Sequence, residues 1–233
     1  KQQLDGDVEI HFLTKKAFQS TLIANPHLSK IHTIENKVSE VIDLLRSENF
    51  DYIVDLHNNI RSRQVKKGLD SITFTVDKLG WEKWLLTTFK IDKLPKVHIV
   101  DRYIETFASL NINNDNEGLE YFIPEVDEVD LSTLPANFQN GYVGFVIGGT
   151  YTTKRLPTEK IISICRKIEI PIVLLGGPDD QSVAKVISNK LNNKVYNACG
   201  KYTLNQSASL VKQANKIITH DTGLMHVAAA FKK

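Results

Sequence analysis

Apolar residues recur along the chain with two different periods. Short, β-branched apolar runs at 8–13, 30–34, 52–56, 71–76, 142–147, 172–175 and 216–219 read as strands. Between them the apolar positions fall three or four residues apart. One such set is Ile99, Tyr103, Phe107 and Leu110; others are Ile161, Cys165 and Ile168, and Val183, Val186, Ile187 and Leu191. That spacing places each set on one helix face. Strands alternating with helices of this length predict βαβ units and a mostly parallel sheet, so the expected class is α/β. Trp81 and Trp84, three apart on a further expected helix, read as packing residues.

The rhythm breaks once. Glu125, Asp127, Glu128 and Asp130 come without a basic residue and are bracketed by Pro124 and Pro135. An acidic, proline-bounded stretch between two βα runs reads as an interdomain linker. The expected division is an N-terminal α/β half at 1–124, a linker at 125–140 and a C-terminal α/β half at 141–233. The chain moves almost at once into the run at 8–13 and stops just after a helix begins at Gly223. Each half is therefore expected to be incomplete at its outer end, as in a piece of a longer protein.

Composition narrows the function. With 42% hydrophobic and 24% charged residues the chain reads as soluble and globular, and no run approaches the ~18 apolar residues of a membrane span. Twenty-nine basic against 27 acidic residues leave +2, which argues against a nucleic-acid partner. Cys165 and Cys199 form neither a metal-spaced set nor a disulfide framework, which points to a reducing cytoplasm. The seven histidines show no metal-ligand spacing, and no Gly-x-Ser-x-Gly or Cys–His nucleophile context exists. No metal is expected.

Ligands of parallel sheets bind at the carboxyl ends of strands, so those loops carry the candidates. After 142–147 comes Gly148-Gly149-Thr150-Tyr151-Thr152-Thr153-Lys154-Arg155-Leu156-Pro157. Glycines allow close backbone approach, threonines add hydroxyls, and Lys154 or Arg155 adds a cation, which together suit a phosphate. The spacing is not that of a P-loop, and an ordinary solvated βα turn fits as well. After 172–175, Asp179 or Asp180 follows Gly176-Gly177-Pro178: one acid accepts from ribose hydroxyls, or caps the next helix. After 216–219, His220-Asp221-Thr222-Gly223 opens a helix carrying His226, a ready anion site; capping by Asp221 or Thr222 is the plainer alternative. In the N-terminal half, His57, Asn58, Asn59, Arg61 and Arg63 crowd the end of 52–56, as a polar wall or as a cap and a solvated face.

In order, these loops resemble the C-terminal domain of family 9 glycosyltransferases, the ADP-heptose:lipopolysaccharide heptosyltransferases. The matching segments are Gly-Gly-Thr…Thr-Lys-Arg-Leu-Pro, Leu-Gly-Gly-Pro-Asp-Asp, Cys199-Gly200-Lys201-Tyr202-Thr203-Leu204 and Asp221-Thr222-Gly223-Leu224-Met225-His226-Val227-Ala228-Ala229. The stretches 8–14 and 51–62 look like the family's other half. The resemblance implies GT-B architecture, two Rossmann-like domains facing across a cleft, and inverting, metal-independent transfer of heptose from ADP-heptose to the inner core of lipopolysaccharide.

It implies that Thr150 and Lys154 bind phosphate and that Asp179, with Asp180 a close competitor, binds ribose. Lys201 and Tyr202 would supply backbone groups to adenine. Asp221, Thr222 and Gly223 would hold the diphosphate and sugar, with His226 alongside. His57, Asn58 and Arg61 are the acceptor-side candidates. ADP-heptose would be a substrate, so no cofactor is expected. The family's general base lies in a segment expected before Lys1, so no catalytic base is assigned. A lipid-linked acceptor implies a cytoplasmic protein in transient contact with the inner-membrane surface, to which a net +2 gives little help. A UDP- or GDP-sugar transferase or epimerase of the same architecture and a non-catalytic nucleotide-binding module are the alternatives.

Overall fold

The structure, a computed structural model, describes residues 3–149 and 151–233. The described residues form eight strands and eight α-helices in two compact units. Residues 1–19 and 26–116 make the first unit, and 20–25 with 117–233 make the second.

In the second unit β5 (Val143–Val146), β6 (Ile172–Leu175), β7 (Val195–Asn197) and β8 (Lys216–Thr219) form one fully parallel sheet in the order β7-β6-β5-β8. Side chains alternate across a strand, and here both faces are buried. Phe145, Ile172 and Leu174 meet α5 (Thr158–Lys167) and α6 (Gln181–Leu191) through Ile161, Ile162, Cys165 and Ile187. Val146, Val173 and Leu175 turn the other way, onto Ala208, Leu210 and Val211 of α7 (Leu204–Gln213) and Val227 and Ala228 of α8 (Gly223–Ala230). Burying each such side chain stabilises by roughly 1.5–3 kcal/mol. Tyr142 is fully buried, and its hydroxyl donates to Leu210 O at 2.6 Å. Asn215, just past α7, accepts from Tyr142 N at 2.8 Å and so pins the entry to β5.

The acidic stretch expected as a linker is instead part of this unit. It folds as three short 3-10 turns, and Leu134 and Phe138 enter the core. Glu128 pairs with Lys212 at 2.7 Å and accepts from Ser209 at 2.8 Å, both on α7. Asp127 likewise accepts from Asn205 of α7 at 3.0 Å, while Asp130 is held locally by Ser132. β7 was not expected: it is three residues long with only Val195 buried, too short to show a period.

The first unit holds two separate parallel pairs. β1 (His11–Lys15) pairs with β2 (Lys30–Ile34), and β3 (Tyr52–Asp55) with β4 (Ile72–Thr75). The run at 8–13 is shifted: the ladder begins at His11, although Ser29 N still reaches Ile10 O at 2.8 Å. One cluster of Ile34, Val38, Val41, Leu45, Val65 and Leu69 packs β2 against α1 (Ile42–Ser47) and α2 (Ile60–Gly68). Neither α3 (Gly80–Phe89) nor α4 (Ile99–Glu105) buries a residue. Trp81 and Trp84, expected to pack, are 64% and 45% exposed and stack on each other at 4.9 Å.

Candidate nucleotide site

The order β7-β6-β5-β8 runs outward from β5 in chain order and then returns to its other side. The chain leaves β5 for α5 on one face of the sheet and β8 for α8 on the other, the arrangement in which such sheets bind ligands at their carboxyl ends. The loop 148–157 and the turn 220–223 meet there. Thr150, a predicted phosphate ligand, lies outside the described residues.

Lys154 closes a short 3-10 turn, and its Nζ lies 2.5 Å from Asp221 Oδ2. That bond, and then the Lys154 charge, hold the Asp221 carboxyl below its ordinary pKa, with a last, small contribution from His226. Arg155 is engaged elsewhere: its Nε donates to Gly149 O at 2.5 Å, and its guanidinium lies 3.5 Å from Asp180. Of the two cations the sequence offered, Lys154 is the one directed at the Asp-Thr-Gly turn.

Thr222 is the N-cap of α8 in extended conformation, yet its side chain makes no capping bond. Its Oγ1 is buried without a hydrogen-bond partner. The other buried atom of that kind among the described residues, Asp55 Oδ2, faces Lys66 Nζ at 2.8 Å. An unpaired buried hydroxyl is costly, and this one stands beside the positive end of a helix. Lys154, Thr222 and the first turn of α8 thus gather a cation, a hydroxyl and oriented backbone dipoles, an arrangement that suits an oxyanion.

The two neighbouring aspartates stand in different surroundings, and neither side chain caps α6. Asp180 is 6% exposed and accepts from Gly177 N at 2.9 Å, so it organises the 3-10 turn that leads into α6. Gly148 is a glycine for this reason: a Cβ there would overlap the Asp180 carboxylate. Asp179 is exposed and, with Gln181, Asn197 and Lys201, lines an open cavity of about 500 Å³. Gly200 turns beside it at φ +66°, where a side chain would also meet the Pro178 backbone. Lys201 Nζ sits 4.5 Å from the centre of the Tyr196 ring, and its backbone N–H is spent on Ala198 O at 3.2 Å. Tyr202 is half-buried; burial first, and then its contact with Tyr196 at 3.4 Å, raise its phenol pKa. Gly223 and His226 line a second cavity of about 300 Å³ with Tyr121 and Leu204.

Sequence reasoning passed over His220. It is 8% exposed and bridges two loops, with Nε2 accepting from Leu156 N at 3.3 Å and Nδ1 facing Gly148 O at 3.3 Å. The backbone donor to Nε2 places the ring proton on Nδ1, so a neutral imidazole ties the phosphate-loop candidate to the end of β8. A histidine immediately before Asp-Thr-Gly was the available signal.

In the first unit, Asp55 organises the acceptor-side candidates. It accepts from His57 N at 2.9 Å and Asn58 N at 2.7 Å. Burial would raise its pKa, but Lys66 and these bonds outweigh burial and lower it. Asn58 takes a left-handed φ of +42° in this turn, and His57 and Arg61 are exposed. Asn59 is the α2 cap, accepting from Ser62 N at 2.9 Å.

A model of glycosyltransferase family 9 (heptosyltransferase) matches residues 38–233. The chain belongs to that family. It is 26% identical over 167 residues, 64% of its length, to lipooligosaccharide heptosyltransferase 2 of Haemophilus ducreyi, of which 48% is covered. The chain spans about half the length of the curated relatives it matches. A crystal structure of a family 9 glycosyl transferase from Veillonella parvula superposes with a TM-score of 0.77 at 22% identity, over 96% of this chain and 69% of that one. The E. coli heptosyltransferase WaaC with ADP gives 0.73 at 19% identity, over 100% and 78%. These likenesses show a shared fold, the GT-B class. No helix among the described residues is long and apolar enough to cross a membrane.

Proposed function

We propose that the chain provides the donor site of a heptosyltransferase that moves heptose from ADP-heptose to the inner core of lipopolysaccharide, with inversion and without a metal. The carrying observation is the convergence of Lys154 with the partnerless Thr222 hydroxyl at the start of α8. Supporting it are the family, a curated relative named for lipooligosaccharide heptosyl transfer, and a structural neighbour described with ADP.

As the bond between the sugar and the β-phosphate breaks, negative charge grows on the departing ADP. Lys154, Thr222 and the α8 N-terminus stabilise that charge. A bound diphosphate takes Lys154 from Asp221, which frees the carboxylate to orient the donor sugar. Asp179 accepts from the ribose, and the turn at Lys201 and Tyr202 flanks the base. His57, Asn58 and Arg61 serve the acceptor. Its lipid anchor brings the protein to the cytoplasmic face of the inner membrane, and α3 fits that contact. Trp81, Trp84 and Phe89 are exposed there, and five lysines against three acids lie between 77 and 97.

The test is calorimetric titration of ADP, UDP and GDP in EDTA, on the wild-type chain and on Lys154→Ala. Selective ADP binding that the variant loses is the expected result. Preference for UDP or GDP moves the activity to another sugar nucleotide, and no binding of any nucleotide ends the donor-site reading.

A further inference from the structure

The spacing of the histidines shows no metal set, but the fold builds one across parallel strands. In the β1–β2 register His11 stands opposite Lys30 and Leu13 opposite His32. Alternation then puts His11 and His32 on the same sheet face. His11 Nδ1 and His32 Nε2 approach to 3.1 Å. Glu48, the residue that ends α1, brings Oε2 to 3.9 Å from His11 Nδ1 and Oε1 to 3.9 Å from His32 Nε2. All three donor atoms lie within 4.8 Å of one another.

These separations fit an ion. Donors about 2.0–2.2 Å from a tetrahedral centre lie roughly 3.3–3.5 Å apart, so the two imidazoles are nearly at that spacing and the Glu48 carboxylate closes the set by moving inward. The surroundings resemble a supporting shell. Glu9 Oε2 lies 3.5 Å from His11 Nε2, the nitrogen that does not face the cluster, as a carboxylate behind a ligating imidazole does. Phe50 meets both rings edge-on, at 5.1 and 6.4 Å, and limits their rotation. Lys30 bonds Glu48 Oε1 and places a positive charge beside the carboxylate. It is half exposed and can swing away.

We propose that His11, His32 and Glu48 bind one divalent transition-metal ion of the zinc class, which ties β1, β2 and the end of α1 together and keeps a fourth position for water. Two imidazoles with one carboxylate favour such an ion over magnesium or calcium, which prefer all-oxygen sets. The role is structural: β1 and β2 form a sheet of only two strands, and the ion cross-links them to the helix that follows.

The test uses the whole chain, stripped with chelator and then titrated at neutral pH. Cobalt(II) is followed by its visible d–d bands and zinc by calorimetry. One ion per chain with a tetrahedral cobalt spectrum is expected, together with a rise in the thermal midpoint on adding zinc. Glu48→Gln keeps the shape and removes the charge; it should weaken binding at least ~10-fold and abolish the thermal shift. Lys30→Met, which removes the competing charge, should tighten binding. No uptake, or uptake that Glu48→Gln and His11→Gln leave unchanged, overturns the proposal. Neither readout involves nucleotide or turnover, so the outcome is independent of the donor-site reading.

Discussion

The two units solve the same topological problem with very different amounts of core. The second buries a four-stranded parallel sheet on both faces, and every residue of β5 and β6 is inaccessible. The first divides its four strands into two pairs, shares one small cluster, and carries two helices with nothing buried. A sheet locked on both faces can hold loop ends within fractions of an ångström, which a preorganised anion site needs. A thinner unit depends more on discrete polar anchors, and Asp55 with Lys66 and the His11–His32–Glu48 cluster are of that kind.

Core truncation should separate the units most strongly. Phe145→Ala removes a ring that is 0% exposed in the middle of β5 and should cost about 3–5 kcal/mol in urea unfolding. Phe89→Ala, at a ring 57% exposed on α3, should stay within about 0.5 kcal/mol. Equal losses would show that the first unit packs α3 far better than its burial indicates.

Within the second unit, function and stability should come apart. In the transfer reaction proposed above, Lys154→Ala should lower the rate by about 10²–10³-fold, the scale for removing one donor to a developing oxyanion. Its effect on unfolding should be under about 1 kcal/mol, because its ion pair with Asp221 is largely solvent-exposed. A comparable loss of stability would make Lys154 a structural residue. Thr222→Val tests the same division more finely. Replacing a buried hydroxyl that has no partner should leave the ligand-free protein as stable or more so, while ADP binding weakens by about 10-fold. Unchanged ADP affinity would detach the hydroxyl from the phosphates.

The contrast also explains what could be read in advance. β5 and β6 were visible because a strand covered on both faces is a continuous apolar run, and α8 because Asp-Thr-Gly precedes a small-residue helix. β7 was too short to register. The stretch 125–140 was misread because Glu128 and Asp127 are anchored to α7 and its cap about 80 positions away, a pairing that local sequence does not record. The candidate residues could be named one by one, but the neighbours each would meet could not. Asp180 and Arg155 became loop supports, Asp179 lines the cavity beside Asn197 and Lys201, and Lys154 meets the Asp-Thr-Gly turn, because the strand order chose which neighbours each would meet. His220 and Asp55 were missed for the same reason: each works through backbone groups brought to it by the fold.

The smallest expected effect compares the two lowered carboxylates, one in each unit. Asp55 is buried, and its pKa lies below the ordinary 3.8 because Lys66 and two backbone amides outweigh burial. A depressed folded-state value means that this contribution to stability is complete above the unfolded pKa and disappears as pH falls through the folded one. Unfolding followed from pH 6 downward should therefore lose stability below about pH 4, and Asp55→Asn should flatten that part of the curve. Asp221 is lowered by Lys154 but largely exposed, so Asp221→Asn should leave the same curve nearly unchanged. If the Asp221 variant flattened it and the Asp55 variant did not, the polar anchor would belong to the second unit, and the contrast between a packed and an anchored unit would have to be reversed.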